Sequence, residues 1–177
     1  MFTKIIAALD TSNRSNYIFQ QTIELAKHDN SSILLLHVLT SEEENSPLKL
    51  PSRIEDIYWA PGTGVDPEQW HREWQEYEQQ CLGQLQVYAE QAKGQGIFVD
   101  IQQVSGSPGS TICEIAETWG ADLIMLGNRG RQGVTELLMG SVSNYVLHHA
   151  HCSVLIVKPT IDYALAESNP HQERATV

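Results

Sequence analysis

The sequence predicts an α/β fold, an open five-stranded parallel sheet with helices on both faces. Three observations lead there. Short apolar runs recur along the chain, beginning near Ile5, Ile33, Phe98, Leu123 and Val154. Most are continuous rather than alternating, as in strands buried on both faces. A helical segment separates each run from the next, the order that right-handed crossovers between parallel strands require. Asp10, Leu39 and Gly127 stand where three of the runs end, and open sheets of this kind take their ligands beyond such strand ends.

The elements follow in order. Ile5 to Leu9 is the first strand, ending at Asp10, and Thr11, Ser12, Asn13, Arg14 and Ser15 supply turn and N-cap chemistry. Tyr17, Ile18, Ile23, Leu25 and Ala26 then mark a helix to about Lys27, and Ile33 to Leu39 is the second strand. Residues 40–66 break the rhythm with Glu42, Glu43, Glu44, Pro47, Pro51, Pro61, Gly62 and Gly64. They read as a long loop insert, functional or mobile, with a short helix around Arg53 to Tyr58. Pro67 suits a first helical turn and Gly94 and Gly96 a stop, so a long helix is expected to about Lys93. Phe98 to Val104 is the third strand, with partial alternation. Ser107 and Pro108 open the next helix, Thr111 to Trp119, and Leu123 to Leu126 is the fourth strand. Ser141 to His149 is a helix and Val154 to Val157 the fifth strand. A single domain over 1–159 is expected, with 160–177 a polar, aperiodic, flexible C-terminal tail.

A chain of 177 residues, 41% of them hydrophobic, can bury a core as one domain. No apolar run approaches the roughly 20 residues that span a bilayer. Met1, Phe2, Thr3 and Lys4 lead straight into a strand, without a secretory pattern. A soluble, cytoplasmic protein with no membrane partner is expected. Cys81, Cys113 and Cys152 are widely spaced and form no CxxC pair, which fits buried or half-buried thiols in a reducing compartment. The formal charge of −11 excludes a general nucleic-acid binder, because phosphate backbones need a basic face. An anionic ligand must therefore be held by local groups. Only at Arg129 and Arg131 do two basic residues stand within three positions of each other.

That pair lies in the stretch richest in chemistry. Gly127 and Gly130 follow the apolar run Leu123 to Leu126, and after nine residues come Gly140 and Ser141, where a helix begins. Strand, glycine loop and helix start form the order of a phosphate cradle. Glycines admit the anion close to the backbone, and the helix start offers free N–H groups and the positive end of its dipole. Ser141 and Ser143 add hydroxyl donors, and Arg129 adds charge. The alternative is a tight βα turn followed by a helix cap. The Gly-rich phosphate loop ending in Gly-Lys-Ser/Thr is absent, and Gly62 and Gly64 follow no strand.

The Gly-x2-Gly-x9-Gly-Ser spacing, with Lys4 to Asp10, the Leu35, Leu36, His37, Val38 run, and the close from Gly140 to His149 and Val154 to Val157, resembles the ATP-binding subgroup of the universal stress protein (UspA-like) family. The resemblance covers about Lys4 to Lys158. It implies a Rossmann-like adenine-nucleotide-binding fold with strand order 3-2-1-4-5. It further implies an adenine slot bordered by Ala8, Val38 and Leu126, and a phosphate site at Gly127, Arg129, Gly130, Gly140, Ser141, Val142 and Ser143. Asp10 would border the nucleotide and stand near Mg or Mn carried by the phosphates; otherwise it merely begins a turn. The implied function is that of a stress-response or regulatory protein binding ATP, ADP or AMP, at most a slow ATPase, since no base or arginine finger is evident. The family also implies a homodimer through Val154, Leu155, Ile156 and Val157. The competing class is a nucleotide-independent dimeric scaffold or chaperone-like protein. An adenylating enzyme would need a glycine-bearing loop where Asp10, Thr11, Ser12, Asn13 and Arg14 stand.

The remaining signals have ordinary readings. His148 and His149 are adjacent on a helix and point about 100° apart, so zinc binding with His151 is not expected. Trp70, Trp74 and Tyr77 share a helix face and are assigned to packing. Gly106, Ser107, Pro108 and Gly109 read as a helix cap, on the ligand side of the sheet. Glu42, Glu43 and Glu44 read as a solvated loop. Ser153 stands where the family commonly has proline, and Asn128 at a variable position, neither touching the glycines or Ser141.

Overall fold

In a computed structural model, residues 1–41, 43, 46–47, 67–128 and 140–158 are described. The elements among them are β1 (Lys4–Ala8), α1 (Arg14–Asp29), β2 (Ser32–Leu39), α2 (Pro67–Gly94), β3 (Val99–Ser105), α3 (Pro108–Trp119), β4 (Leu123–Gly127), α4 (Ser141–His149) and β5 (Ser153–Val157). The strands form one parallel sheet in the order β3-β2-β1-β4-β5, so the expected architecture and strand order are both present. The expected short helix at Arg53 to Tyr58, the rest of the long loop, and the C-terminal tail lie outside the described residues.

The alternation of side chains along each strand divides the core into two layers. Ile5, Ala7, Ile33, Leu35, Leu123 and Met125 pack against Ile18, Phe19 and Ile23 of α1 and Leu85, Tyr88 and Ala89 of α2. Ile6, Leu34, Leu36, Val38, Ile124 and Leu126 pack against Ile112, Ile115 and Ala116 of α3 and Val146 of α4. Helices on both faces explain why β2 is apolar apart from Ser32 and His37: all but its first residue are buried.

Local sequence sets the helix ends, with small corrections to expectation. α1 stops where Asn30 turns left-handed (φ 57°) and its N–H returns to the Ala26 carbonyl. Gly120 ends α3 in the same way at φ 71°, and Gly96 (φ 77°) follows α2. The expected N-cap bonds are not made. Asn13 is already helical with no capping side chain, and the Ser107 side chain makes none either. α3 starts at Pro108 rather than Thr111, since proline at the first helical position needs no N–H partner.

At the N-terminal end of the sheet, the Asp122 carboxylate clamps β1. It accepts the Thr3 N–H at 2.8 Å, the Thr3 hydroxyl at 2.7 Å and the Lys4 N–H at 3.1 Å. The opposite end is left for other contacts.

Candidate functional site

The C-terminal strand ends bring together most of the described candidate residues. β1 stops at Ala8, whose register partners are Leu36 on β2 and Leu126 on β4. β2 continues past that point to Leu39, so Val38 lies beyond the last paired residue of β1. Ala8, Val38, Leu126 and Val142 all pack on the α3–α4 face, in one apolar cluster. An apolar surface one sheet wide therefore meets the start of α4.

α4 opens at Gly140 (φ −58°, ψ 152°), with no side-chain capping bond among the described residues. The first intrahelical bond runs from the Asn144 N–H to the Gly140 carbonyl at 2.9 Å. The N–H groups of Ser141, Val142 and Ser143 precede it and point out of the helix end. Ser141 is exposed and Ser143 buried. The Ser143 hydroxyl donates to the Gly127 carbonyl at 2.8 Å, anchoring the helix start to β4. Gly127 has a packing requirement too: a Cβ there would stand 2.8 Å from Ile18 Cδ1 of α1. Arg129, Gly130 and Arg131 lie outside the described residues.

Two residues join the site against expectation. Asn128 does touch a glycine, its Oδ1 accepting the Gly140 N–H at 3.2 Å. Its carbonyl accepts from Arg14 Nη1 at 3.1 Å, which brings a cation of α1 to the edge of the glycine loop. No spacing pattern pairs residue 14 with residue 128; only the β1–β4 adjacency does.

Asp10 makes the turn that the bland reading gives it. Its Oδ1 accepts the Ser12 N–H at 3.0 Å and the Ser15 hydroxyl at 2.9 Å, and its N–H donates to Ser15 Oγ at 2.9 Å. A cleft of about 260 Å³ opens beside it, lined by Asp10, Thr11, Ser12, Asn13, Asn16, Gln84 and Tyr88. Of the candidate residues it takes in Asp10 alone. Among the described residues no three His, Cys, Asp or Glu side chains gather as a metal cage. His149 stacks on Tyr145, and His151 Nε2 lies 4.0 Å from Glu117.

Glu43 corrects the reading of a solvated glutamate run, because it is buried, with its carboxylate 3.0 Å from His37 Nε2. The Tyr77 hydroxyl also donates to it. The available signal was His37 itself, a polar residue inside an apolar strand that needs a partner. The aromatic reading holds: Trp70 stacks on Trp74 at 5.8 Å, and Trp74 meets Tyr77 at 5.9 Å. Burial pushes the Cys81 thiol up to about 11 and raises Cys113 and Cys152. All three are thereby kept as poor nucleophiles at neutral pH.

The fold and its sheet order have close parallels. The model of the universal stress protein family matches residues 1–158. Universal stress protein Slr1101 of Synechocystis sp. is 44% identical over 109 residues, 62% of this chain and 100% of that one. Universal stress protein Sll1388 of the same organism is 31% identical over 157 residues, 89% of this chain and 98% of that one. The solved structure of protein MJ0577 matches with a TM-score of 0.67 at 22% identity, covering 90% of this chain and 98% of that one. A universal stress protein in complex with cAMP matches at 0.60, with 18% identity over 89% of this chain and 97% of that one. The Arabidopsis thaliana protein At3g01520 with AMP bound matches at 0.56, with 22% identity over 90% and 94%. No helix among the described residues is long and apolar enough to cross a membrane. With a family match over nearly its whole length and a five-stranded sheet of that family's fold, this chain belongs to the universal stress protein family.

Proposed function

We propose that this protein binds an adenine nucleotide, ATP or its ADP and AMP products, at the C-terminal end of the sheet, as a stress-response regulator in the cytoplasm. The base rests on Ala8 and Leu126, where β1 stops, and on Val38 beyond that point. The phosphates meet Gly127, Gly130, Gly140, Ser141, Val142 and Ser143, with Arg129 and Arg14 as cations. Asp10 faces the ribose, or a Mg or Mn ion that arrives with the phosphates. The observation that carries this reading is the start of α4, which no described side chain caps. Three N–H groups follow a residue without a side chain, directly beside an apolar surface that suits a base. Structural relatives bound to cAMP and AMP support the ligand class. Hydrolysis, if any, is slow, because no described residue at the helix start is a base poised to activate water. Isothermal titration of the purified protein with ATP and AMP, with mass spectrometry of any co-purifying small molecule, tests the reading. A protein that binds neither refutes it.

The assembly we propose is a two-fold dimer through β5. That strand is at the end of the sheet and pairs with β4 alone among the described strands. Its Leu155 side chain is 44% exposed. A bare apolar edge of this kind invites pairing with its own copy. A dimer is equally the requirement of a scaffold that uses no nucleotide, so the titration separates the two functions and the mass does not.

A further inference from the structure

The end of β2 carries a buried polar cluster that the phosphate site does not use. Glu43 lies in the connection that leaves β2, yet it is only 3% exposed. Its two carboxylate oxygens stand 3.1 and 3.0 Å from His37 Nε2, and one of them accepts from the Tyr77 hydroxyl. Cys81 packs beside Tyr77, and the Thr11 side chain lies close enough to act on the Tyr77 hydroxyl. Four segments meet here: β2 through His37, the β2–α2 connection through Glu43, α2 through Tyr77 and Cys81, and the β1–α1 loop through Thr11.

A carboxylate withdrawn from water is costly unless donors replace the water, and removing one of those donors is more damaging than the average hydrogen bond suggests. Burial, reinforced by Glu43, pushes the Tyr77 hydroxyl far above its ordinary range, so it remains a donor. His37 Nδ1 is buried with no hydrogen-bond partner among the described residues. The ring is therefore oriented from its Nε2 side, by Glu43. The backbone turns tightly around this residue, with the Glu43 N–H 3.4 Å from the Thr40 carbonyl and the Ser46 N–H 3.2 Å from that of Glu43.

The position of the cluster matters more than its strength. His37 immediately precedes Val38, and Thr11 immediately follows Asp10. β1 ends at Ala8, the Leu9 N–H still donating to the Leu36 carbonyl at 2.9 Å, while β2 runs on to Leu39, so the β1–α1 loop departs alongside the end of β2. The end of β2 is tied to the Glu43 carboxylate through His37, and the β1–α1 loop meets it through Tyr77, which Thr11 approaches.

We infer that Glu43, through His37 and Tyr77, is a positioning residue for the base end of the nucleotide site: it holds the β1–α1 loop and the end of β2 at the separation that admits the adenine. This rests on the adenine-nucleotide reading above. It gives the start of the long β2–α2 connection a role in binding, although Glu43 itself touches no ligand.

Calorimetric titration of the full chain with adenosine, ATP and inorganic tripolyphosphate tests it, comparing wild type with Glu43→Ala, Glu43→Gln and Tyr77→Phe. Glu43→Ala and Tyr77→Phe are expected to lose about tenfold in affinity for adenosine and ATP, the scale of one buried hydrogen bond. Tripolyphosphate affinity should stay within about twofold, since the start of α4 is untouched. Glu43→Gln keeps the shape and one acceptor oxygen and should recover most of the loss. Tyr77→Phe retains the ring packed beside Trp74, so it decides the matter should Glu43→Ala fail to fold. Adenosine affinity unchanged in a folded Tyr77→Phe protein overturns the inference, as does an equal loss for tripolyphosphate, which would mean general loosening. Wild-type protein that binds neither adenosine nor ATP overturns the nucleotide reading and this inference together, whereas wild-type binding with indifferent variants overturns the inference alone.

Discussion

The Ser143 hydroxyl donates to the Gly127 carbonyl at 2.8 Å, joining the first turn of α4 to the last residue of β4. Residues 16 positions apart are held in contact, and the direction in which α4 presents its free N–H groups depends on that bond. Ser143 is 2% exposed, so water cannot substitute for the hydroxyl. Ser143→Ala is expected to destabilise the protein by about 1–2 kcal/mol, leaving the half-buried Gly127 carbonyl short of a donor. Urea denaturation with an unchanged m-value reads the loss.

Gly140 has φ −58°, a value open to any L-residue, so backbone strain does not require glycine there. Gly140→Val should accordingly fold, with its branched side chain filling the approach to the α4 N–H groups. ATP binding is expected to vanish in this variant, and Ser141→Ala to weaken it by about 1–2 kcal/mol, the scale of one hydrogen bond to a charged group. Isothermal titration on variants of unchanged circular dichroism decides it; full ATP affinity in Gly140→Val would remove the phosphates from this helix start.

Arg14 reaches the glycine loop through the Asn128 carbonyl. On a chain of formal charge −11, a cation placed there should favour phosphates over nucleosides. Arg14→Gln is expected to reduce ATP affinity several-fold while leaving adenosine nearly unchanged, with the difference shrinking as salt rises. Equal losses for the two ligands would assign Arg14 a purely structural part.

Asp122 predicts how stability responds to acid. Its burial works to raise the carboxyl pKa, but bonds from the Thr3 hydroxyl and the Thr3 and Lys4 N–H groups outweigh it and hold it below 3.8. A carboxyl depressed on folding contributes stability that is complete above its unfolded value and is lost as pH falls through the folded one. Asp122→Asn should therefore be less stable than wild type at neutral pH, and the gap should narrow below about pH 4. Thermal melts from pH 7 to pH 2 show it; a gap independent of pH would mean that the clamp works without its charge.

For the proposed β5 dimer, light scattering should give a mass near twice the 19.8 kDa of the chain. Leu155→Lys puts a charge on the exposed edge residue and should shift the protein toward monomer at micromolar concentration. A wild-type mass equal to one chain refutes the dimer.

The periodicity of the sequence carried the fold well, and its misreadings share a cause. β2 was legible because Ile33 to Leu39, His37 apart, is apolar on both faces, as in a covered parallel strand. The long α2 was legible from Pro67 and the glycines at its end. Helix starts were read less well. Ser107 and the Thr11 to Ser15 segment have the composition of N-caps, but their side chains bond elsewhere or not at all. Composition states what a residue can bond, and the surrounding chain chooses among the partners.

The sequence by itself determined the α/β class, the family signature, the five strands in their places along the chain, and the glycine spacing with Ser141 at a helix start. These are encoded locally, in periods of a few residues and in turn chemistry. Only the tertiary structure decided that Glu43 lies in the core under His37 and Tyr77, that Arg14 stands at the Asn128 carbonyl, and that Ala8, Val38 and Leu126 share one face with Val142. Such contacts join residues from strands that are neighbours in the sheet but distant in the chain. The burial of a charge depends on donors that no local pattern places beside it.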